Sequence, residues 1–194
     1  MKPAVFLAKD TTLLDRSADG GRLRLAPGAV DACLLLAGLG YDLVVVGAEP
    51  AVAWGALPLG ALEAVSAHLD DLFMTHGFRL TGSYWCPHDP AGNVPDYAFA
   101  CGCRRPAPGL IRAAAANHDL DLSRSWMVAR DVDDIEAGLR AGCSTVWIGD
   151  LADDPVERSL ADFTAKDLLE AAARIMRARE GRSGAANYPI LDAY

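Results

Sequence analysis

Four short apolar runs punctuate the chain: Ala4-Val5-Phe6-Leu7-Ala8, Leu43-Val44-Val45-Val46, Ser125-Trp126-Met127-Val128-Ala129 and Thr145-Val146-Trp147-Ile148. None alternates apolar with polar residues, so each suits a strand covered on both faces, as parallel strands are. A fifth run, residues 78–85, is interrupted by Gly82. Between the runs, apolar residues recur at helical spacing. Val30, Cys33, Leu34, Leu36 and Ala37 follow Pro27, and Leu62, Val65, Leu69, Leu72 and Phe73 lie within 59–76. Another helix is expected from Gly109 to about His118, and one carrying Ile135, Ala137 and Leu139. The run 145–148 is expected to close the sheet, with a last amphipathic helix over 163–179. The pattern predicts an α/β fold: a Rossmann-like, mostly parallel sheet covered by helices on both faces, with function at the carboxyl ends of the strands. Those ends bring Asp10, Glu49, Arg104, Arg105, Arg130 and Asp134 around one crevice.

A chain of 194 residues suits one domain, here 1–180, with residues 15–25 as a loop and 181–194 as a tail that docks or stays mobile. Its net charge of -8 leaves no extended basic face, so nucleic acid is not an expected partner. No apolar run reaches the length of a membrane span, and the opening apolar stretch is too short for a signal peptide. The cytoplasm is the expected location.

The loop 86–103 carries Cys86-Pro87-His88 at one end and Cys101-Gly102-Cys103 at the other. Three thiolates and an imidazole match tetrahedral Zn²⁺, and four protein ligands leave no open position, so the expected metal is structural. A disulfide or ordinary buried thiols are the alternatives. The disulfide is awkward because the cysteines number five and Cys33 and Cys143 lie in apolar stretches.

The order and spacing of Tyr84-Trp85-Cys86-Pro87-His88, of Cys101-Gly102-Cys103-Arg104-Arg105-Pro106-Ala107-Pro108-Gly109, and of Asp134 with Ala137-Gly138 resemble the haloacid-dehalogenase superfamily of phosphotransferases. The likeness is greatest to its heptose-bisphosphate and histidinol-phosphate phosphatase group, and covers about residues 3–150. It implies a single haloacid-dehalogenase-like domain with a small zinc-stapled loop and no large cap domain. The first family motif resembles Phe-Leu-Asp-Arg-Asp-Gly-Thr, whose first Asp attacks phosphorus and whose second is the acid/base. This chain reads Phe6-Leu7-Ala8-Lys9-Asp10-Thr11-Thr12, so Ala8 stands at the nucleophile and Asp10 is retained. The second motif is replaced by Gly47-Ala48-Glu49, which lacks the phosphate-holding hydroxyl, and Trp54 stands at the place of a family arginine. Arg104 is kept, Arg105 replaces a lysine, and Arg130 replaces a metal-binding Asp ahead of the retained Asp134.

A methyl group forms no aspartyl-phosphate and gives Mg²⁺ no oxygen ligand. Mg²⁺ is therefore expected to be absent, its place taken by an Asp10, Arg130, Asp134 network; otherwise Arg130 turns to solvent and Asp131 or Asp133 supplies the acidity. These substitutions suggest a pseudoenzyme: a degenerate phosphatase homologue with turnover absent or very weak, binding an anionic metabolite or a protein partner through Glu49, Trp54, Arg104, Arg105, Arg130 and Asp134. Trp54 and Trp85 either stack on a ligand or anchor the core. Two enzymatic alternatives stand beside it. One uses Asp10, Glu49 and Asp134 for metal-independent acid/base chemistry, and the other is a residual sugar-phosphate phosphatase. The oligomeric state is left open.

Overall fold

The computed structural model describes residues 1–10, 12–14, 24–149 and 159–184. Thr11 of the first motif, most of the loop expected over 15–25 and the tail from 185 onward lie outside the described residues.

Among the described residues the chain forms β1 (Ala4–Ala8), α1 (Ala29–Gly38), β2 (Asp42–Ala48), α2 (Gly60–Met74), β3 (Gly82–Cys86), α3 (Gly109–His118), a 3-10 turn (Leu122–Arg124), β4 (Trp126–Ala129), α4 (Val132–Ala141), β5 (Ser144–Ile148), β6 (Phe163–Ala165) and α5 (Leu168–Gly184). The strands lie in the order β3-β2-β1-β4-β5-β6, every neighbouring pair parallel. That order reverses direction beside β1, which puts a crevice beyond its carboxyl end.

The unalternating runs are explained by the two faces they bury. Val5, Leu7, Leu43, Val45, Val128, Val146 and Ile148 pack against α1, α2 and α5, including Leu36, Phe73 and Ile175. Their neighbours Phe6, Ala8, Val44, Val46, Met127, Ala129 and Trp147 pack on the other face against Ile111 and Ala114 of α3 and Ile135 and Ala137 of α4. Each large apolar side chain buried this way contributes about 1.5–3 kcal/mol before ordering entropy is subtracted.

Two expectations are corrected at the far edge. The run at 145–148 does not close the sheet, because Phe163–Ala165 adds a further parallel strand beside it, Val146 opposite Phe163. The last helix accordingly begins at Leu168 rather than 163, and its backbone runs to Gly184, beyond the boundary drawn at 180. A three-residue strand is too short to show a period, and Phe163 reads equally well as the first apolar position of a helix. The strand after Gly82 is also shorter than the run that announced it.

Helix α4 carries the carboxylates of the crevice. Asp131 caps it by accepting from the Asp133 N–H at 2.9 Å, and Asp133 and Asp134 occupy its first turn. Gly138 lets the helix lie close on β4, since a Cβ there would stand 2.4 Å from Met127 Cβ. The capped start and the close approach fix where Asp134 projects.

Candidate functional site

Two neighbouring sets of side chains stand at the carboxyl ends of β1 to β4. The first is held by the loop after β3. Cys86 ends that strand and is fully buried; His88, Cys101 and Cys103 are half-buried, and the four ligand atoms lie within 4.8 Å of one another. Cys86 Sγ is 3.2 Å from Cys103 Sγ and 3.6 Å from Cys101 Sγ, and His88 Nδ1 is 3.2 Å from Cys103 Sγ. The group could hold a metal ion. All five cysteines are free of disulfides.

The loop's backbone is built around this cluster. The Arg104 N–H reaches Cys101 Sγ at 3.3 Å, and Arg104 donates from its guanidinium to the His88 carbonyl at 2.9 Å. Phe99 packs against the imidazole, ring centres 4.4 Å apart. Burial pushes the Cys86 thiol up. At Cys101 the opposing effect of burial is outweighed by hydrogen bonds from Cys103 and the Arg104 N–H, and its thiol is lowered. Cys33 and Cys143 lie elsewhere, and burial pushes each up to about 12.

The second set lines a crevice of about 300 Å³ formed by Asp10, Ala48, Glu49, Pro50, Arg104, Arg105 and Asp133. Of the residues expected there, Asp10, Glu49, Arg104 and Arg105 are brought together. Asp134 lies deeper, lining a small adjoining cavity with Gly47, Ala48 and Arg105. Arg130 is exposed and lines neither space. The guanidinium on Asp134 is that of Arg105, which also reaches Asp131 at 3.3 Å, and not the expected Arg130. Burial raises the Asp134 carboxyl to about 6 in spite of Arg105 beside it, with Asp131 and Asp133 adding to the rise.

Lys9 went unnoticed in the sequence. Its ammonium is 2.7 Å from Glu49 Oε2, 3.8 Å from Asp10 Oδ2, and 5.5 Å from the centre of the Trp85 ring. The available signal was its position between two motif residues directly after a buried strand, where a lysine needs a nearby anion. Trp85 is an anchor: its Nε1 donates to Ser66 Oγ on α2 at 2.7 Å. Gly47 is required by this packing, because a Cβ there would stand 3.0 Å from the Trp85 ring and 3.2 Å from Lys9 Cβ. Trp54, by contrast, is 46% exposed.

A hard divalent ion needs several oxygen donors turned toward one point. Here Ala8 offers a buried methyl group, Lys9 sits on Glu49 and near Asp10, and Arg105 holds Asp131 and Asp134. Among the described residues, the Cys86, His88, Cys101, Cys103 cluster is the one group of three or more such side chains close enough to share an ion. The crevice donors do not fit Mg²⁺.

The HAD-hydrolase-like family model matches residues 102–171. The D-glycero-beta-D-manno-heptose-1,7-bisphosphate 7-phosphatase of Yersinia pestis is 31% identical over 177 residues, covering 83% of this chain and 93% of its own. Its counterpart from Escherichia coli K12 is 30% identical over 149 residues, 74% of this chain and 76% of its own. Among solved structures, D,D-heptose 1,7-bisphosphate phosphatase from B. bronchiseptica, complexed with magnesium and phosphate, aligns with a TM-score of 0.75 at 22% identity, over 92% of this chain and 99% of that one. A HAD-like protein from Mesorhizobium loti aligns with a TM-score of 0.76 at 26% identity, over 91% and 87%.

These matches overturn the expected pseudoenzyme without phosphatase turnover. Relatives that share 30–31% of their residues over 74–83% of this chain are named as phosphatases. Of the substituted positions, Gly47 and Ala48 line the crevice or its adjoining cavity, Ala8 is buried at the end of β1, and Arg130 lies outside both spaces. No helix among the described residues is long and apolar enough to cross a membrane.

Proposed function

This chain belongs to the haloacid-dehalogenase-like family, alongside the heptose-bisphosphate 7-phosphatases, and from that premise we propose that it hydrolyses a sugar-phosphate monoester. The observation that carries the reading is the crevice at the carboxyl end of β1 that Asp10, Arg104 and Arg105 line together. Ala8 forms no covalent intermediate, so water attacks phosphorus directly. The Asp10 carboxylate takes a proton from the water as its oxygen bonds to phosphorus, the ester oxygen departs on the opposite side and is protonated from solvent, and Asp10 then returns its proton to solvent. Arg104 and Arg105 place two guanidinium groups where the charge on phosphate grows. Lys9 and Arg105 occupy the carboxylates that would otherwise hold Mg²⁺, so turnover proceeds without it.

The Cys86, His88, Cys101, Cys103 cluster holds Zn²⁺. Three thiolates and an imidazole are its donor set, and the ligand-to-ligand distances of 3.2–3.7 Å approach the roughly 3.8 Å between sulfurs in a tetrahedral zinc site. The ion is structural: it ties the loop bearing Arg104 and Arg105 to the end of β3. Reduced thiols of this kind suit the cytoplasm.

The test is inorganic phosphate released from D-glycero-D-manno-heptose 1,7-bisphosphate and simpler sugar phosphates, with EDTA present. Wild-type turnover above a matched blank, reduced about 100-fold or more in Asp10→Asn, is expected. Turnover that is absent, or indifferent to Asp10, would overturn the proposal.

A further inference from the structure

A second cavity, of about 400 Å³, opens at the amino ends of β2 and β4, across the sheet from the crevice. Tyr41, directly before β2, and Trp126, the first residue of β4, line it and are 8% and 1% exposed. Leu39 and Gly40 line it from the turn after α1, and Arg124 and Arg179 from the 3-10 turn and α5. Its volume is that of a small-molecule site.

The lining carries two guanidinium groups and no carboxylate. Arg179 donates to the Leu39 carbonyl, which both satisfies the end of α1 and holds the charge at the cavity, since Leu39 is itself part of the lining. Asp121 is near enough to feel Arg124, but its Oδ1 accepts from the Ser123 N–H at 3.1 Å and the Ser123 hydroxyl at 2.6 Å. Among the described residues, neither Arg124 nor Arg179 is paired with a carboxylate, and both are exposed. In a chain of net charge -8, two such arginines at one cavity concentrate a positive potential there.

Tyr41 supplies an independent sign of a ligand. Its ring belongs to the same core cluster as Leu36 and Leu43, yet its hydroxyl forms no hydrogen bond among the described residues. A tyrosine so far buried ordinarily finds a partner for that group.

We propose that this cavity is a binding site for a small dianion, a phosphate group or a dicarboxylate, held by Arg124 and Arg179 with the Tyr41 hydroxyl donating to it. Planar guanidinium forks match either oxyanion bidentately. The site shares no residue with the crevice, so it stands independently of the phosphate-ester reading.

Backbone amide spectra of the full-length protein report the two spaces separately. Gly40, Tyr41 and Trp126 mark this cavity, and Ala48 and Asp133 mark the crevice. Inorganic phosphate and succinate are titrated in turn, with sodium chloride of equal ionic strength as the blank. At least one of them should shift the Gly40 and Tyr41 amides saturably, with a Kd of about 1 mM or tighter. Arg124→Gln and Arg179→Gln should each weaken that binding about tenfold or more, and Tyr41→Phe about threefold or more, while the response at Ala48 stays as in wild type. Saturation by phosphate alone identifies a phosphate group as the ligand, by succinate alone a dicarboxylate, and by both a dianion of either kind; each upholds the site. No saturable shift at Gly40 and Tyr41 with either anion, or an affinity that survives both arginine substitutions, overturns it.

Discussion

The ammonium of Lys9 lies 2.7 Å from Glu49 Oε2 with little of either side chain exposed, and the two residues leave adjacent parallel strands. Glu49 alone at the rim of a phosphate crevice would repel its ligand. Paired with Lys9 it becomes part of a neutral unit, stacked on Trp85 and resting against Gly47.

Lys9→Met therefore costs more than the loss of one surface ion pair. It leaves the Glu49 carboxylate half-buried with no cation on it, for a loss of about 2 kcal/mol in urea unfolding. Glu49→Gln in the same chain should recover half or more of that loss. Strictly additive single and double variants would show that the two residues do not interact.

The Arg105 and Asp134 pair makes stability depend on pH in a definite direction. Asp134 has its folded pKa raised from 3.8 to about 6 by burial, so its favourable contribution is present below about pH 4 and is lost as pH rises through 6. Removing Arg105 pushes that carboxyl higher still. Arg105→Met should cost about 2–3 kcal/mol at pH 8, toward the low end for a buried pair because Arg105 is a third exposed, and clearly less at pH 5. Denaturant midpoints for wild type and variant at both pH values check this. A deficit as large at pH 5 as at pH 8 would show that Asp134 stays ionised at both and that its titration does not set the pH dependence.

The layered fold was legible because buried parallel strands must be apolar on both sides, and the runs at 4–8, 43–46 and 125–129 have few other uses. The soft-ligand cluster was legible for a similar reason: Cys86, His88, Cys101 and Cys103 have donor chemistry that spacing alone brings together. The charge pairing inside the crevice was not. Arg105 and Arg130 have the same chemistry in the sequence, and which one meets Asp134 depends on how the segment after Cys103 lies against the first turn of α4. Lys9 was missed because its partner Glu49 is 40 residues away and adjacent only through the register of β1 with β2. The inference from lost motif residues to lost activity failed for a different reason. Ala8 excludes one covalent route, and a crevice can retain attack by water.

Metal removal tests the staple. The protein as purified should carry about one zinc per chain, and a chelator strong enough to strip it should lower the unfolding midpoint by several degrees. Cys101→Ser should lose most of the zinc, whereas Cys33→Ser, at a buried position of α1 outside the cluster, should keep it. Elemental analysis on the three proteins decides. Full zinc in Cys101→Ser would remove that residue from the ligand set.

Gly109 connects the staple to the helix behind it. Its N–H donates to the Gly102 carbonyl at 2.9 Å, and a Cβ at 109 would stand 2.1 Å from that oxygen, closer than any real contact. Gly102 lies between the ligands Cys101 and Cys103, so the clash cannot be relieved without moving one of them or the start of α3. Gly109→Ala should therefore destabilise the fold by about 2 kcal/mol or more and speed zinc transfer to a chromogenic chelator. Gly102→Ala is the matched control. Nothing lies within 4 Å of a Cβ built there, so it should leave both the unfolding midpoint and the zinc release rate near wild type. If Gly109→Ala releases zinc no faster than Gly102→Ala, the first turn of α3 does not brace the metal loop.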